Sequence, residues 1–269
     1  KQKTAYEIGV RLVGSEMCIR DRDRDRAAAA ARKWLTGGQE QCINAPMDPL
    51  RRDTRVVIAA FNEGKVIRNV VSEVVRDGWS VILVDDGSRD NTAAEARAGG
   101  AVVLRHVVNL GQGAALQTGI DCALRQGAKY IVTFDADGQH NYADIPALIA
   151  ALEDADISLG SRFLGSVEGA TQRRMAMLRA AVMMSNRLSG LRLTDAHCGL
   201  RAMRAEVAPK LRITQDRMAH ASELLRKIHT GGLRVVEVPV TVRYTAHSMA
   251  KGQTGFQAVR ILFDYFFRP

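Results

Sequence analysis

The 269-residue sequence contains no run of eighteen or more apolar residues, so it predicts no membrane-spanning helix. It shows no secretory signal pattern. Cysteine is scarce: Cys18, Cys42, Cys122 and Cys198 are widely separated and form no C-x-x-C. That excludes a disulfide framework and a dithiol motif, and reads as reduced thiols in a cytosolic protein. The 6 histidines fall at no zinc-like spacing. Gly111-Gln112-Gly113 lacks the third glycine of a dinucleotide fingerprint, which argues against a nicotinamide or flavin oxidoreductase. Basic residues interleaved with aromatics are missing as well, so no nucleic-acid partner is expected.

What is present is ordinary in amount and uneven in placement. An apolar fraction of 46% is enough for a sizeable core. The net charge of +9 is divided sharply: residues 1–53 carry +3, residues 54–172 carry −5 and residues 173–269 carry +11. An acidic middle suits a cation site, and a basic last third suits a phosphate-bearing substrate or anionic lipid head groups. A merely soluble cationic surface has the same charge.

Residues 1–53 differ from the rest. Asp21 to Arg26 alternates two residues, Ala27 to Ala31 is a homopolymer, and Pro46 and Pro49 mark a linker. Val10 to Arg22 resembles translated sequencing-adapter read-through, so 1–53 is read as an artefactual or disordered tail. From Arg55 onward, short branched runs alternate with helical periodicity. Strands are expected at 56–60, 81–84, 101–104, 130–134 and 157–159, with helices between them. Such alternation means an α/β domain, a mostly parallel sheet with helices on both faces. Beyond Gly160 we expect a loop over 160–172, a Met-rich helix over 175–188 and an irregular stretch over 190–199. A helix carrying Leu224, Leu225 and Ile228 should follow, then an extended run over 235–242 in which Pro239 favours an edge or a break. Phe256, Val259, Leu262, Phe263, Phe266 and Phe267 predict a short C-terminal amphipathic helix, suited to a membrane surface, to the sheet or to a second subunit.

The chemistry is concentrated where strands end. Tyr130 to Phe134 runs into Asp135-Ala136-Asp137-Gly138-Gln139-His140, two carboxylates one residue apart before a turn. They are either a divalent-cation site or a solvated turn, since Asp and Gly are common in both. In an open α/β sheet the parallel strands' carboxyl ends line one edge, which gathers Asn62-Glu63, Asp85-Asp86 and Asp135-Ala136-Asp137 at one crevice. His140 reads as a solvated loop residue, the alternative being a partner that backs the carboxylate pair, and Cys198 reads as a small core thiol. Asp195 and Glu223 are the late acids available as a base, Glu223 reading as a solvated helix residue.

Seven motifs in order resemble the family 2 glycosyltransferases of GT-A fold. They are Ala60-Phe61-Asn62-Glu63, Val84 to Thr92, Asn109 to Leu116, Asp135 to Gln139, Gly160-Ser161-Arg162, Asp195 to Arg201, and Glu237-Val238-Pro239-Val240. The last three look like the dolichyl-phosphate mannose synthase and polyprenyl-phosphate glucosyltransferase branch. The resemblance implies a single GT-A domain over 54–245, with a nucleotide-sugar half (54–160) and an acceptor half (161–245), then a loop and helix over 246–269. It implies an inverting hexosyltransferase using GDP-mannose or UDP-glucose and Mg²⁺ or Mn²⁺. The acceptor is then a polyprenyl phosphate at the cytosolic membrane face, or the hydroxyl of a glycan or glycolipid. A catalytically inactive nucleotide-binding module is the reading of another class.

By the same resemblance Asp135, Asp137 and Gln139 hold the metal. Ala60, Asn62, Glu63, Asp85, Asp86, Gly111, Gln112, Asp135, Ala136, Arg243 and Lys251 meet the nucleotide sugar. Ser161, Arg162, Arg174 and Arg201 meet the acceptor, and Asp137, Asp195 and Arg201 serve catalysis. Gln112 stands where the family often has Lys, and His247 to Lys251 matches the late G-x-S-K pattern only loosely. Expected partners are the donor, the lipid phosphate and an anionic membrane surface, with a homodimer or tetramer as the assembly.

Overall fold

The computed structural model of the chain describes residues 48–215 and 220–244. Seven strands form one sheet: β1 (Thr54–Ala60), β2 (Ser80–Asp85), β3 (Val102–Arg105), β4 (Tyr130–Asp135), β5 (Ile157–Glu168), β6 (Arg201–Arg204) and β7 (Val235–Arg243). Their order is β3-β2-β1-β4-β6-β5-β7. All neighbours are parallel except β6, which runs antiparallel to both β4 and β5. The chain builds outward from β1 to β3 and then returns to place β4 on the other side of β1. Strand order therefore reverses between β1 and β4, the position at which open α/β sheets bind ligands.

The helices are α1 (Pro49–Asp53), α2 (Ile67–Arg76), α3 (Thr92–Ala98), α4 (Gln112–Arg125), α5 (Ile145–Ala150), α6 (Gln172–Ser189) and α7 (His220–Thr230). Successive strand residues point to opposite faces, and both faces of the sheet are covered. Val56 and Ile58 join Val70, Val71 and Val74 of α2 and Leu148 of α5 on one side. Val57 and Ile82 join Leu116 and Ile120 of α4 and Leu224, Leu225 and Ile228 of α7 on the other. Removing such branched side chains from water is worth about 1.5–3 kcal/mol each.

Three stretches differ from the sequence expectation. Pro49 opens α1 rather than ending a linker: it occupies the first helical turn, where a missing N–H costs nothing, and Asp48 Oδ1 caps Leu50 N at 3.0 Å. Residues 160–168, expected to be a loop, continue β5 beside β7 through the pair Glu168↔Arg243, with an irregularity between Ser161 and Ser166. Gly160 and Gly165 mark close approach, not a turn. A Cβ on Gly165 would lie 2.2 Å from Val240 O, and one on Gly160 would lie 2.9 Å from Leu200 O. Glu223 is buried (2% exposed), not solvated. Pro239 does lie on the edge strand β7. The expected C-terminal helix and Lys251 lie outside the described residues.

Candidate active site at the reversal of strand order

The ends of β1, β2 and β4 and the start of α4 enclose a crevice of about 310 Å³. Among its lining residues are Ala60, Glu63, Asp86, Gly111, Gln112, Asp135, Ala136 and Asp137. The expected gathering of strand-end carboxylates is therefore present, with Asp85 and Asn62 set back from the wall. Asp85 is fully buried, accepts Ser88 N at 2.9 Å and pairs with Arg105 Nε at 3.1 Å, so it shapes the turn after β2. Asn62 adopts φ 54°, an uncommon value for a side chain other than Gly, and its Oδ1 accepts Arg89 N at 2.9 Å. It tethers the β1 turn to the β2 turn and leaves Glu63 facing the crevice.

Asp86 ties the end of β2 to the start of α4. Oδ1 meets His106 Nδ1 at 2.7 Å and accepts Leu110 N at 2.9 Å, and Oδ2 accepts Gly111 N at 2.7 Å. Burial opposes its charge, but the His106 contact and the two backbone donors outweigh it, and the carboxyl sits below its usual value. Gly111 takes φ 101°, which only glycine adopts readily, and so its N–H reaches Asp86 just ahead of α4. His106 is buried, with Nε2 3.0 Å from Thr118 Oγ1. Sequence reasoning missed it. The only local signal was a lone histidine directly after β3.

At the end of β4 the turn through Gly138 (φ 75°) folds Gln139 and His140 back on the two carboxylates. Gln139 N donates to Asp137 Oδ1 at 3.1 Å and its Nε2 donates to Asp137 Oδ2 at 2.6 Å. His140 Nε2 meets Asp135 Oδ2 at 2.9 Å. The His140 side chain is 3% exposed and stands edge-on to Phe134, with ring centroids 5.7 Å apart. The loop reading of His140 is thus corrected: it is a buried partner of Asp135. Burial opposes ionisation of Asp135, yet contact with His140, then the charges of Arg201 and His220, hold its carboxyl below the usual range. Asp137 goes the other way, pushed up by burial, by the charge of Asp135 and by Glu63. Two carboxylates crowded in this way favour a shared cation. Among the described residues no three His, Cys, Asp or Glu side chains are grouped closely enough to hold a metal alone.

The residues expected on the acceptor side form a second network. Arg162 is buried; its Nε donates to Asp195 Oδ2 at 2.6 Å and its Nη1 donates to Tyr244 Oη at 2.7 Å. Burial opposes its charge, but Asp195 and Tyr244 reverse the effect and hold the guanidinium above its ordinary value. Glu237 Oε1 accepts Thr194 N, Thr194 Oγ1 and Asp195 N at 2.8–2.9 Å, and Ser161 Oγ lies 2.6 Å from Thr194 Oγ1. Arg174 stacks over Tyr244 with Cζ 4.6 Å from the ring centroid. Arg201 is buried and donates from Nε to Cys198 O at 2.8 Å; burial lowers its pKa against the pull of Cys198 and Asp135. Cys198 is a core thiol, pushed up to about 12 mainly by burial. Arg243 pairs with Glu168 at 3.0 Å, while its backbone N–H donates to Gln139 O at 2.8 Å.

Gly199 joins the two networks. A Cβ there would lie 2.1 Å from Asp135 Oδ2, and Gly199 O accepts Thr133 Oγ1 at 2.8 Å. The Asp195–Arg201 segment is therefore packed directly on the first carboxylate of the pair.

The chain is similar in sequence and fold to known proteins. Residues 55–212 match the family model described as glycosyl transferase family 2. The UDP-N-acetylglucosamine–dolichyl-phosphate N-acetylglucosaminyltransferase of Methanococcus voltae is 31% identical over 79% of this chain and 93% of its own. The polyprenol monophosphomannose synthase of Mycolicibacterium smegmatis is 32% identical over 73% of this chain and 79% of its own. Among solved structures, glucosyl-3-phosphoglycerate synthase from Mycobacterium tuberculosis, in complex with Mn²⁺, UDP-glucose and phosphoglyceric acid, superposes with a TM-score of 0.63. That match covers 82% of each chain at 19% identity, a likeness of fold. With the family model spanning more than half of the sequence, the chain belongs to glycosyl transferase family 2 and is a glycosyltransferase.

Proposed function

We propose that the chain moves a hexose from a nucleotide sugar to a polyprenyl phosphate, with inversion at the anomeric carbon. The observation that carries the choice of acceptor is the engagement of both late acids. The Asp195 carboxylate is held by Arg162 and its backbone N–H by Glu237 of β7, and Glu223 accepts Thr214 N, Thr214 Oγ1 and Gln215 N at 2.5–3.0 Å and pairs with Lys227 at 2.6 Å. A sugar hydroxyl needs a base to become a good nucleophile. A phosphate monoester, with its second pKa of about 6, is ionised near neutrality and needs positioning and charge compensation. Arg162 and Arg174 are set to supply both. The names of the Methanococcus and Mycolicibacterium relatives point to the same acceptor class.

On the donor side, Asp135, Asp137 and the Gln139 side-chain oxygen would hold Mg²⁺ or Mn²⁺. The donor set is all oxygen, as hard cations prefer, and the like-charge strain on Asp137 is what a cation relieves. When bound, such an ion neutralises charge growing on the departing diphosphate. Glu63, Asp86, Gly111 and Gln112 line the nucleotide part of the crevice. An oxygen of the acceptor phosphate attacks the anomeric carbon, the carbon–oxygen bond to the diphosphate breaks, and the nucleoside diphosphate leaves.

The acceptor's lipid tail places the reaction at the cytosolic membrane face. Among the described residues no helix is long and apolar enough to cross a membrane. Helix α6 carries Arg173, Arg174, Arg179 and Arg187 and no acidic residue, and it exposes Met177, Met183 and Met184. That combination supports seating on an anionic surface.

Thermal-shift measurements with nucleotide sugars in Mg²⁺ or Mn²⁺ test the donor half. A metal-dependent rise in Tm for one sugar nucleotide supports the reading. Transfer from that donor to a glycan hydroxyl, with none to polyprenyl phosphate, overturns the acceptor assignment.

A further inference from the structure

We infer that Tyr244 is the positioning residue that sets the two acceptor-side arginines, an inference resting on the reading that Arg162 and Arg174 meet a phosphate. Tyr244 follows the last residue of β7, and its three groups act on two elements, β5 at two points and α6 at one. Its backbone N–H donates to Glu168 O at 2.9 Å, closing the end of β5. Its hydroxyl accepts Arg162 Nη1 at 2.7 Å. Its ring lies under the Arg174 guanidinium, Cζ 4.6 Å from the centroid.

Arg162 is thereby gripped at two points: Asp195 takes Nε and Tyr244 takes Nη1. Among the described residues Arg174 has no carboxylate partner. The aromatic face holds it, and its Nε is buried with no hydrogen-bond partner among the described residues. A buried guanidinium donor left open costs free energy unless an acceptor fills it. An anionic oxygen is the natural acceptor, and Arg presents its donors in a planar fork that matches phosphate. One tyrosine thus fixes the orientation of two cations from β5 and α6 at a common point. It lies one residue beyond Arg243, whose N–H is bonded to Gln139 O in the carboxylate loop. The acceptor cations are therefore registered against the donor side through two consecutive residues.

Two substitutions separate the two contacts. Y244F removes the hydroxyl and keeps the ring under Arg174; Y244L removes both. The full chain is titrated with farnesyl phosphate, binding being read from the side-chain Nε–H NMR signals of arginine. Transfer of labelled sugar to polyprenyl phosphate in detergent gives kcat and KM for each substrate. Y244F is expected to weaken farnesyl phosphate binding about tenfold or more, as loss of one hydrogen bond to a charged group implies. The effect of Y244L is expected to be larger, since it also loses the cation–π contact. Acceptor KM rises in step, with donor KM, kcat at saturation and Tm of Y244F near wild type. Wild-type phosphate binding in both variants, or an equal rise in donor KM, overturns the inference. If Y244F weakens farnesyl phosphate binding while wild type makes no labelled lipid, the Tyr244 inference stands and the lipid-acceptor reading falls. No farnesyl phosphate binding by wild type overturns both.

Discussion

Asp135 and Asp137 are one residue apart and shifted in opposite directions. His140, Arg201 and His220 surround the first and lower its pKa, while burial and the first carboxylate raise the second. Asp137→Asn removes the carboxylate with the greater electrostatic reason to welcome a cation. Transfer is expected to fall by more than about a hundredfold, as losing one preorganised charge contact implies, with Tm unchanged or raised. His140 acts through Asp135. With Nε2 on Oδ2, it leaves the other carboxylate oxygen turned free of it, and His140→Asn should weaken Mn²⁺ binding about 10–100-fold, the usual cost of losing a ligand's hydrogen-bond partner. Electron paramagnetic resonance of free Mn²⁺ measures this without turnover; unchanged affinity would remove His140 from the metal's surroundings. The carboxylate pair was legible in the sequence because an apolar run ending in Asp-x-Asp places both at a strand end. His140 was not, because only the fold-back through Gly138 makes a loop histidine a buried partner. His106 and Tyr244 were hidden for the related reason that their partners, Asp86 and Arg162, are far away in sequence.

At the scale of elements, two contacts set how the site is held. Helix α4 approaches β1 so closely that a Cβ on Gly119 would lie 2.3 Å from Val57 Cγ1. Helix propensity favours Ala over Gly by about 1 kcal/mol, but overpacking costs about 1–3 kcal/mol. Gly119→Ala is therefore expected to lower stability in denaturant titration, and Val57→Ala in the same chain to restore part of it. A net gain in the single variant would contradict the packing. Helix α7 is tied to 214–215 by Glu223. Burial opposes the charge of Glu223, and Lys227, Thr214 and the backbone of Gln215 outweigh it, so the folded carboxyl lies below its ordinary 4.5. A lowered folded value stabilises in full above the unfolded value and is lost as pH falls through the folded one. Glu223→Gln should cost about 1–3 kcal/mol at pH 7, and the difference from wild type should shrink as pH drops below that ordinary 4.5. A gap independent of pH would assign the loss to packing. The strand–helix alternation through β5 was legible from periodicity. The continuation of β5 was not, because Gly160 and Gly165 look like loop residues until β7 lies against them, and Glu223 looked solvated until the 212–215 segment covered it.

For the whole molecule, the carboxylate crevice and the arginine network meet where Gly199 packs against Asp135. The acidic middle supplies the carboxylates of the crevice, while the arginine network draws on both segments, Arg162 from the middle and Arg174 and Arg201 from the basic last third. That division suits a reaction in which a cation-bound diphosphate leaves as a phosphate arrives. The order of motifs is what assigns the donor to one side and the acceptor to the other in the proposed reading. How tightly Asp195 is committed to Arg162 was not readable in the sequence, since that pairing spans β5 and the segment before β6. The most direct measurement offers the chain one labelled sugar nucleotide and two acceptors of equal chain length, polyprenyl phosphate and polyprenol, at pH 7 with Mn²⁺. Labelled product from the phosphate alone, lost in Asp137→Asn, is the expected result. Label transferred to the alcohol and not to the phosphate would contradict it.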